Sequence, residues 1–445
     1  MLMTKNNRII TIAQGRITMY ISLLLLLFFL FSYESGGQYP GINDSIAKHR
    51  KGLITVKAKK GSHVTVEQIR HEFWFGCAIP NNFPAMTGTN RQIFREKFLE
   101  LFNAAVTENA LKWMIMEPRK DQVNYSVIDS ILTWTESNNI PLRGHNLFWG
   151  IVKSPNTGQQ YVQQWVMELG DEELKQRIKE RAEFITSKYK GRFAEYDLNN
   201  EMIHGNYYEN RLGPEITKLM AEWAHNGDPE AKLWLNDYDI LIPKSESPLG
   251  IGLPEYLEHI RKLLRQGVPI AGIGVQGHSH LETFDRQYLR DALDSLAQFK
   301  LPVRVTEFNL PGMRSKYRNL QLTPEQEEAK AKEIVDYFRI CFAHPAVTGI
   351  LLWGFWEGAN WIPSSSLYKR DWTPTPSAEA YRNLIFKEWW TKESGIADKK
   401  GLFSVPAFYG RYRINVDGIT KEIDLKRADG MVTVDFTASQ RQRKY

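Results

Sequence analysis

Residues 193–201 have the sequence Phe193-Ala194-Glu195-Tyr196-Asp197-Leu198-Asn199-Asn200-Glu201, an apolar run that ends on two amides and a carboxylate. Seven similar short runs occur along the chain, and each ends on polar or aromatic residues. The eight runs are Phe73–Ile79, Phe102–Thr107, Pro141–Phe148, Phe193–Leu198, Ala231–Leu235, Ala271–Val275, Pro302–Thr306 and Thr348–Trp353. Short apolar segments of this kind are typical of strands that are covered on both faces of a sheet.

Amphipathic stretches with helical periodicity separate these runs. They include Arg91–Leu101, Ser126–Ser137, Asp171–Tyr189, Pro254–Arg265, Asp285–Phe299 and Pro324–Phe342. Alternating strands and helices predict parallel strands joined by helical crossovers, and eight such units suit an α/β fold of the closed (β/α)8, or TIM barrel, type. An open doubly wound sheet is the alternative, but no run is followed by the Gly-rich phosphate loop that usually accompanies that fold.

The active site of a (β/α)8 barrel forms at the carboxyl ends of its strands. Glu201 follows the fourth run and Glu307 follows the seventh, so we expect the two carboxylates to face each other across the mouth of the barrel. Two carboxylates that flank a bond, one protonated and one ionised, are the minimal equipment for glycoside hydrolysis. A strand-end glutamate that only forms a salt bridge is the alternative explanation for either residue.

Seven segments at the predicted strand ends resemble glycoside hydrolase family 10, the endo-β-1,4-xylanase family. They occur in the family's order over roughly residues 73–386. The segments are Glu108–Trp113 with Glu117-Pro118, Arg143–Trp149, Tyr196–Met202, Asn236–Tyr238, Gly272–His278, Val305–Glu307, and Trp353–Trp356 with Trp361. The stretch that follows Glu201, Ile203–Tyr208, is similar to the plant-type branch of the family.

The resemblance implies a retaining endo-β-1,4-xylanase that hydrolyses the xylan backbone by double displacement, without a metal or an organic cofactor. Glu201 would be the general acid/base and Glu307 the nucleophile, which predicts carboxyl groups about 5–5.5 Å apart. Two alternatives remain open. One is a related β-glycanase that acts on another or a decorated backbone, and the other is a non-catalytic glycan-binding barrel.

The resemblance also implies substrate-binding roles for ten neighbouring side chains. Asn200 would bond the sugar 2-hydroxyl, and His278 would bond Glu307. Two more, Gln276 and His145, would bind around the cleaved sugar. The others would hold the adjacent sugar on the non-reducing side (Glu108, Asn109 and Lys112) or wall the cleft (Trp149, Trp353 and Trp361).

Three positions depart from the usual family pattern. Asn309 stands where many relatives have an aspartate two residues after the nucleophile, and Gly150 and Trp356 replace a histidine and a smaller residue. If Asn309 contacts His278, the missing negative charge changes how readily the imidazole carries a proton. The other two changes bear on the shape of the sugar subsites.

The sequence predicts four segments: a signal peptide or anchor in residues 1–37, an extension with short strands in 38–72, the catalytic barrel in 73–390, and a small all-β module in 391–445. Within the module, Asp417-Gly418 and Asp429-Gly430 predict hairpin turns. The module is too thin to enclose much core, so we expect it to pack on the barrel or to pair with Leu53–Ala58 and His63–Gln68.

The first 37 residues combine Lys5, Arg8 and Arg16 with an apolar run over Ile21–Phe31. This run is short for a membrane span and typical of a secretory signal peptide. We therefore expect a secreted or periplasmic protein with no stable membrane insertion after processing. An uncleaved N-terminal membrane anchor is the alternative.

The net charge of +6 does not predict a nucleic-acid partner. The first 40 residues carry +2 and residues 391–445 carry +4, so the body of the chain between them is neutral. A protein that binds a phosphate backbone concentrates positive charge on one surface. The partner that the resemblance implies is instead a β-linked polysaccharide, xylan. We expect the protein to be a monomer.

Overall fold

A computed structural model of the chain describes residues 41–153 and 158–438. From Ile46 onward, the described residues form one compact unit. The predicted leader in residues 1–37 lies outside the described residues. In the part of the chain that is described, no helix combines the length and the apolar character needed to cross a membrane.

Strands and helices alternate through most of the chain, as the sequence predicts. The strands are β1 (Lys51–Lys57), β2 (His63–His71), β3 (Trp74–Ile79), β4 (Ala104–Thr107), β5 (Leu142–Gly144), β6 (Phe148–Trp149), β7 (Glu195–Asn200), β8 (Leu233–Asp237), β9 (Gly272–Val275), β10 (Val303–Phe308), β11 (Val347–Leu352), β12 (Lys392–Ile396), β13 (Leu402–Phe408), β14 (Gly410–Val416), β15 (Ile419–Leu425) and β16 (Met431–Asp435). The α-helices are α1 (Ile42–Arg50), α2 (Gly88–Leu101), α3 (Trp113–Met116), α4 (Ser126–Ser137), α5 (Gln164–Met167), α6 (Asp171–Lys188), α7 (Tyr207–Leu212), α8 (Ile216–Gly227), α9 (Leu253–Arg265), α10 (Arg286–Ala297), α11 (Pro324–Ala343) and α12 (Pro376–Asn383).

Eight of the strands form a closed parallel barrel. The pairings run from β5 through β4, β3, β11, β10, β9 and β8 to β7, and contact between β5 and β7 closes the ring. The two-residue β6 pairs with β7 as well. The predicted (β/α)8 fold and its eight predicted strands are therefore confirmed, with ends that differ by a few residues.

The local sequence explains why these elements form. Every residue of β4 and of β7 is buried, as expected for barrel strands covered by side chains inside and by helices outside. On α6, Leu174, Ile178 and Ile185 recur at helical spacing and are buried. α11 begins at a capping box in which the Thr323 and Gln326 side chains bond each other's backbone N–H groups.

The strands outside the barrel form two smaller sheets. One sheet has the order β13-β1-β16 and the other has the order β12-β2-β14-β15. Side chains from both sheets share a buried apolar cluster that includes Ile54, Val66, Val405 and Tyr412. The prediction that the C-terminal runs pair with the strand segments before the barrel is therefore confirmed.

Only one of the two predicted hairpin turns is present. Asp417-Gly418 joins β14 to β15 in antiparallel pairing, and both residues have the positive φ that a tight hairpin turn requires, 48° and 82°. The prediction of a hairpin at Asp429-Gly430 is wrong. After that turn the chain crosses to the other sheet, where β16 pairs in parallel with β1 and Val432 lies opposite Ile54.

The small sheets meet the barrel at the amino ends of its strands. The guanidinium of Arg50, just before β1, donates to three carbonyls at 2.5–2.8 Å, those of Phe342, His344 and Val347. Val347 is the first residue of β11. Trp389 is buried at the same junction and stacks on Phe342 with ring centres 4.1 Å apart. The carboxyl ends of the strands, where the sequence predicts the site, lie at the opposite end of the barrel.

Candidate active site

Eleven of the twelve predicted site residues line one cavity at the carboxyl ends of the barrel strands. They are Glu108, Asn109, Lys112, His145, Trp149, Glu201, Gln276, His278, Glu307, Trp353 and Trp361. The twelfth, Asn200, is buried and does not line the cavity. The lining also includes residues that the sequence reasoning did not select, namely Ile151, Gln159, Tyr161, Tyr238, Asp239, His280, Met313 and Arg318.

Glu201 lies immediately after β7, where its backbone has a φ of 60°. This left-handed conformation is uncommon for a residue with a side chain. The carboxylate accepts two hydrogen bonds, from Nε1 of Trp149 at 2.9 Å and from Nε2 of Gln276 at 2.8 Å. Burial raises the pKa of Glu201, and the charges of Asp237 and Glu307 raise it further, against the smaller effect of the two hydrogen bonds.

Glu307 lies on β10 and faces several positive or donating groups. Nδ2 of Asn236 donates to its Oε1 at 2.8 Å, Nε2 of His278 is 3.2 Å from its Oε2, and Nδ1 of His145 is 3.9 Å from its Oε1. Burial alone would raise the pKa of Glu307, but the two imidazoles and the ammonium of Lys112 outweigh burial and lower it to about 2.

The two carboxyl groups therefore have opposite electrostatic environments within one cavity. Glu201 is held by neutral donors and tends to keep a proton, whereas Glu307 is surrounded by cationic groups and stays ionised. Such a pair can supply one proton donor and one anionic group to the same substrate bond. The arrangement is suited to acid-assisted displacement at a sugar carbon.

Asn236, on β8, connects the neighbours of the two carboxylates. Its Nδ2 donates to Oδ1 of Asn200 at 3.0 Å as well as to Glu307, and its Oδ1 accepts from the Thr306 hydroxyl at 2.7 Å. These partners fix the orientation of the amide. The sequence placed Asn236 in a matching segment at a strand end without giving it a role, and that position was the only signal that could have identified it.

A buried ion network lies beneath His145. Nδ1 of His145 is 2.8 Å from Oδ2 of Asp197, and the fully buried guanidinium of Arg143 pairs with Asp197 and with Glu195. Arg304 pairs with the other oxygen of Glu195. Because each charge has an opposite partner, the network fixes the imidazole without leaving an isolated charge in the barrel interior.

Lys112 is buried at the side of the cavity that β4 forms. Its ammonium donates to Oδ1 of Asn109 at 2.8 Å and lies 4.6 Å from the centre of the Trp149 ring. Burial lowers the pKa of Lys112, while nearby carboxylates, Glu307 and Glu201 foremost, act to raise it. Lys112 is therefore not a solvated surface charge.

Aromatic side chains form the walls of the cavity. Trp353 packs edge-on against His145 with ring centres 5.3 Å apart, and Trp361 packs edge-on against His278 at 5.4 Å. Trp149 stacks on Tyr161 at 4.0 Å. The faces and rims of such rings suit the C–H faces and hydroxyls of a pyranose.

Trp356, one of the three departures from the family pattern, does not line the cavity. It is buried and stacks on Trp372 with the rings 4.5 Å apart and nearly parallel. Trp356 therefore does not shape the sugar subsites by direct contact, contrary to the expectation from the sequence.

Among all the described residues, including those of the cavity, no three His, Cys, Asp or Glu side chains are grouped so that they could hold a metal ion.

The chain is similar in sequence to longer proteins of plants and bacteria. Endo-1,4-beta-xylanase 1 of Arabidopsis thaliana is 33% identical over 387 residues, which cover 84% of this chain and 37% of that protein. The anti-sigma-I factor RsgI6 of Acetivibrio thermocellus is 31% identical over 382 residues, covering 84% of this chain and 46% of that protein. The chain thus spans less than half the length of these relatives.

Solved structures share the fold. Xylanase 10B from Thermotoga petrophila, in complex with xylobiose, superposes with a TM-score of 0.61 at 24% identity, covering 71% of this chain and 95% of that one. Native xylanase 10B from Thermotoga maritima has the same TM-score and identity, with 71% and 96% covered. The model of the family described as Glycosyl hydrolase family 10 matches residues 66–384, most of the chain. The chain therefore belongs to glycosyl hydrolase family 10.

Proposed function

We propose that this protein is a secreted, retaining endo-β-1,4-xylanase in which Glu201 is the general acid/base and Glu307 the nucleophile. The observation that carries the proposal is the opposite protonation preference of two carboxyl groups that line one cavity. Family membership supports a glycoside hydrolase, and several relatives are named endo-1,4-beta-xylanases. Xylan as the substrate is inferred from those names and from the sugar-sized aromatic walls.

In the first step, the Glu307 carboxylate attacks the anomeric carbon while Glu201 gives its proton to the departing glycosidic oxygen. A bond forms between the sugar and Glu307, and the bond to the leaving sugar breaks. In the second step, Glu201 takes a proton from water, the water oxygen attacks the anomeric carbon, and Glu307 is released as a carboxylate. Glu201 loses one proton to the leaving sugar in the first step and regains one from water in the second, so both glutamates end the cycle as they began it.

The geometry also explains how Glu201 can exchange roles between the steps. The negative charge of Glu307 is one cause of the raised pKa of Glu201. When Glu307 becomes an ester, that charge disappears and the pKa of Glu201 falls, so Glu201 is ready to act as a base. Nδ2 of Asn236 donates to both Glu307 and Asn200, so Asn200 lies next to the proposed nucleophile; the contact of its amide with the sugar 2-hydroxyl remains part of the proposal.

We also propose that the remaining segments support this activity. Residues 38–72 and 391–445 would form one structural module at the amino end of the barrel domain, residues 73–390, because their strands share both small sheets. Residues 1–37 would direct secretion and be removed. The mature protein would act as a monomer.

The test is a panel of xylan, β-glucan and mannan with analysis of the released products. The wild type should release short oligosaccharides from xylan, and Glu307→Gln should lower the rate by roughly a thousandfold or more. The exposed Glu258→Gln on α9 is the matched control and should match the wild type.

Equal release by the wild type and Glu307→Gln would contradict the assignment of the nucleophile. Release from glucan but not from xylan would contradict the substrate. Binding to xylan without any release of sugar would favour the non-catalytic glycan-binding barrel. The name of one relative, an anti-sigma factor, is not that of an enzyme and is a reason to test this alternative.

A further inference from the structure

Arg318 lines the cavity from the loop that follows β10, and neither the family pattern nor the mechanism above uses it. Its guanidinium carbon lies 5.4 Å from the centre of the Trp361 ring. Its Nε is buried and has no hydrogen-bond partner among the described residues. The side chain therefore brings a positive group to the wall of the cavity where the substrate would lie.

The backbone of Arg318 is held in place although its side chain is not paired. Its N–H donates to the carbonyl of Ser315 at 3.1 Å, and its carbonyl accepts from the Ser364 hydroxyl at 3.1 Å. Among the buried arginines of the described chain, Arg143 and Arg304 pair with carboxylates and Arg181 donates to backbone carbonyls, although Nε of Arg304 also lacks a hydrogen-bond partner. Arg318 differs from them because it lines the cavity and pairs with no carboxylate among the described residues. A buried donor without a partner is costly unless a ligand satisfies it.

We propose that Arg318 binds the carboxylate of a uronic acid branch on the substrate, so that the enzyme prefers xylan decorated with acidic side groups. This inference rests on the proposed function and names its substrate class. The planar fork of a guanidinium matches a carboxylate through two parallel hydrogen bonds. The xylan backbone carries no charged group, so only an acidic branch can pair with Arg318.

The position of Arg318 suits a branch better than the backbone. Trp361, on which Arg318 rests, is 36% exposed and offers a free surface on which a branch sugar can pack. Lys112, the other cation of the cavity, is already bonded to Asn109 and lies near several carboxylates. An acidic branch would meet repulsion from the ionised Glu307 unless a cation compensates it, and Arg318 is placed to do so.

The test compares kcat/KM for three substrates: a xylo-oligosaccharide with one glucuronic acid branch, the same compound with its carboxyl group reduced to an alcohol, and the linear oligosaccharide. The reduced compound keeps the size of the branch and removes its charge. The wild type should prefer the acidic over the reduced compound by about tenfold or more, the usual value of a charge-assisted hydrogen bond. Arg318→Met should abolish this preference, and Arg318→Lys should keep part of it.

The matched control is Arg314→Met, an exposed arginine of the same loop whose Nη1 is 3.5 Å from the Glu246 carbonyl. Its preference ratio should equal that of the wild type. If the wild type cleaves the linear compound but shows the same ratio as Arg318→Met, the role of Arg318 is overturned while the proposed function stands. If it cleaves none of the three compounds, the proposed function fails and this inference fails with it.

Discussion

Oδ1 of Asn309 lies 2.9 Å from Nδ1 of His278, whose Nε2 faces Oε2 of Glu307 at 3.2 Å. The orientation of the Asn309 amide is fixed, because its Nδ2 donates to the Ser365 hydroxyl and its Oδ1 accepts from Nε1 of Trp361. Nδ1 of His278 must therefore carry a hydrogen. An ionised Glu307 can then be hydrogen-bonded only by a His278 that holds a second proton on Nε2.

Replacing Asn309 with aspartate should strengthen this charged pair. Asn309→Asp adds a negative charge beside Nδ1, which favours the protonated imidazole. We expect the pH dependence of kcat/KM to change. Asn415→Asp, a partly exposed position on β14 far from the cavity, should leave the pH profile unchanged. An unaltered pH profile of kcat/KM in Asn309→Asp would show that Asn309 and His278 are not coupled.

Removing the hydrogen bond from Trp149 should extend activity toward high pH. In the wild type, the hydrogen bond from Nε1 of Trp149 lowers the pKa of Glu201, because it stabilises the ionised carboxylate. Trp149→Phe keeps an aromatic ring but removes this donor. The pKa of Glu201 should rise further in the variant. Because Glu201 must be protonated to act as the acid, activity is lost as the pH rises through that pKa, and the alkaline limb of kcat/KM should shift upward.

The control for this measurement is Trp165→Phe. Trp165 also donates from Nε1, to the Glu117 carbonyl, but does not line the cavity. Its alkaline limb should coincide with that of the wild type. A downward shift in Trp149→Phe would mean that Glu201 is not the group that titrates there.

The buried ion network should dominate the stability of the barrel interior. Arg143→Met removes the partner of two buried carboxylates, Glu195 and Asp197, and should lower the free energy of unfolding by about 3–5 kcal/mol. Arg192→Met breaks an exposed pair with Glu136 and should cost no more than about 1 kcal/mol. Urea unfolding monitored by tryptophan fluorescence measures both. Equal effects of the two substitutions would contradict a special role for the network.

The small sheets should be required for a soluble barrel. A chain that stops at Trp390 loses β12–β16 and leaves β1 and β2 without their strand partners. Exposed strand edges and the uncovered apolar cluster should make that chain aggregate, as seen by size-exclusion chromatography. A chain that stops at residue 438 keeps all five strands and should remain monomeric. A soluble, active chain ending at Trp390 would show that the barrel does not depend on these sheets.

The barrel could be predicted from the sequence because each of its strands is a local apolar run, whereas the small sheets depend on distant pairing. Asp417-Gly418 and Asp429-Gly430 have the same turn signal, but β16 pairs with β1, which lies nearly the whole chain away. β12 was not predicted, since its residues are mostly exposed and lack an apolar pattern. Long-range partners of this kind leave no local mark.

The candidate site shows the same division. Residues at strand ends, such as Glu201 and Glu307, were predictable because the fold brings those ends together. Arg318 was not, because it lies within a long loop whose path the sequence pattern does not define. From the sequence, a contact between Asn309 and His278 could be stated only as an assumption. The structure shows the contact and the direction of its hydrogen bond.

The central claim is that Glu307 forms the covalent intermediate, and mechanism-based trapping tests it most directly. A 2-deoxy-2-fluoro-β-xylobioside with a good leaving group should inactivate the enzyme, since the fluorine slows both steps and the good leaving group restores the rate of the first step only. Peptide mapping by mass spectrometry should then find one fluoroxylobiosyl group on the peptide that contains Glu307. A label on Glu201 or any other residue, or turnover with inversion and no label, would contradict the account.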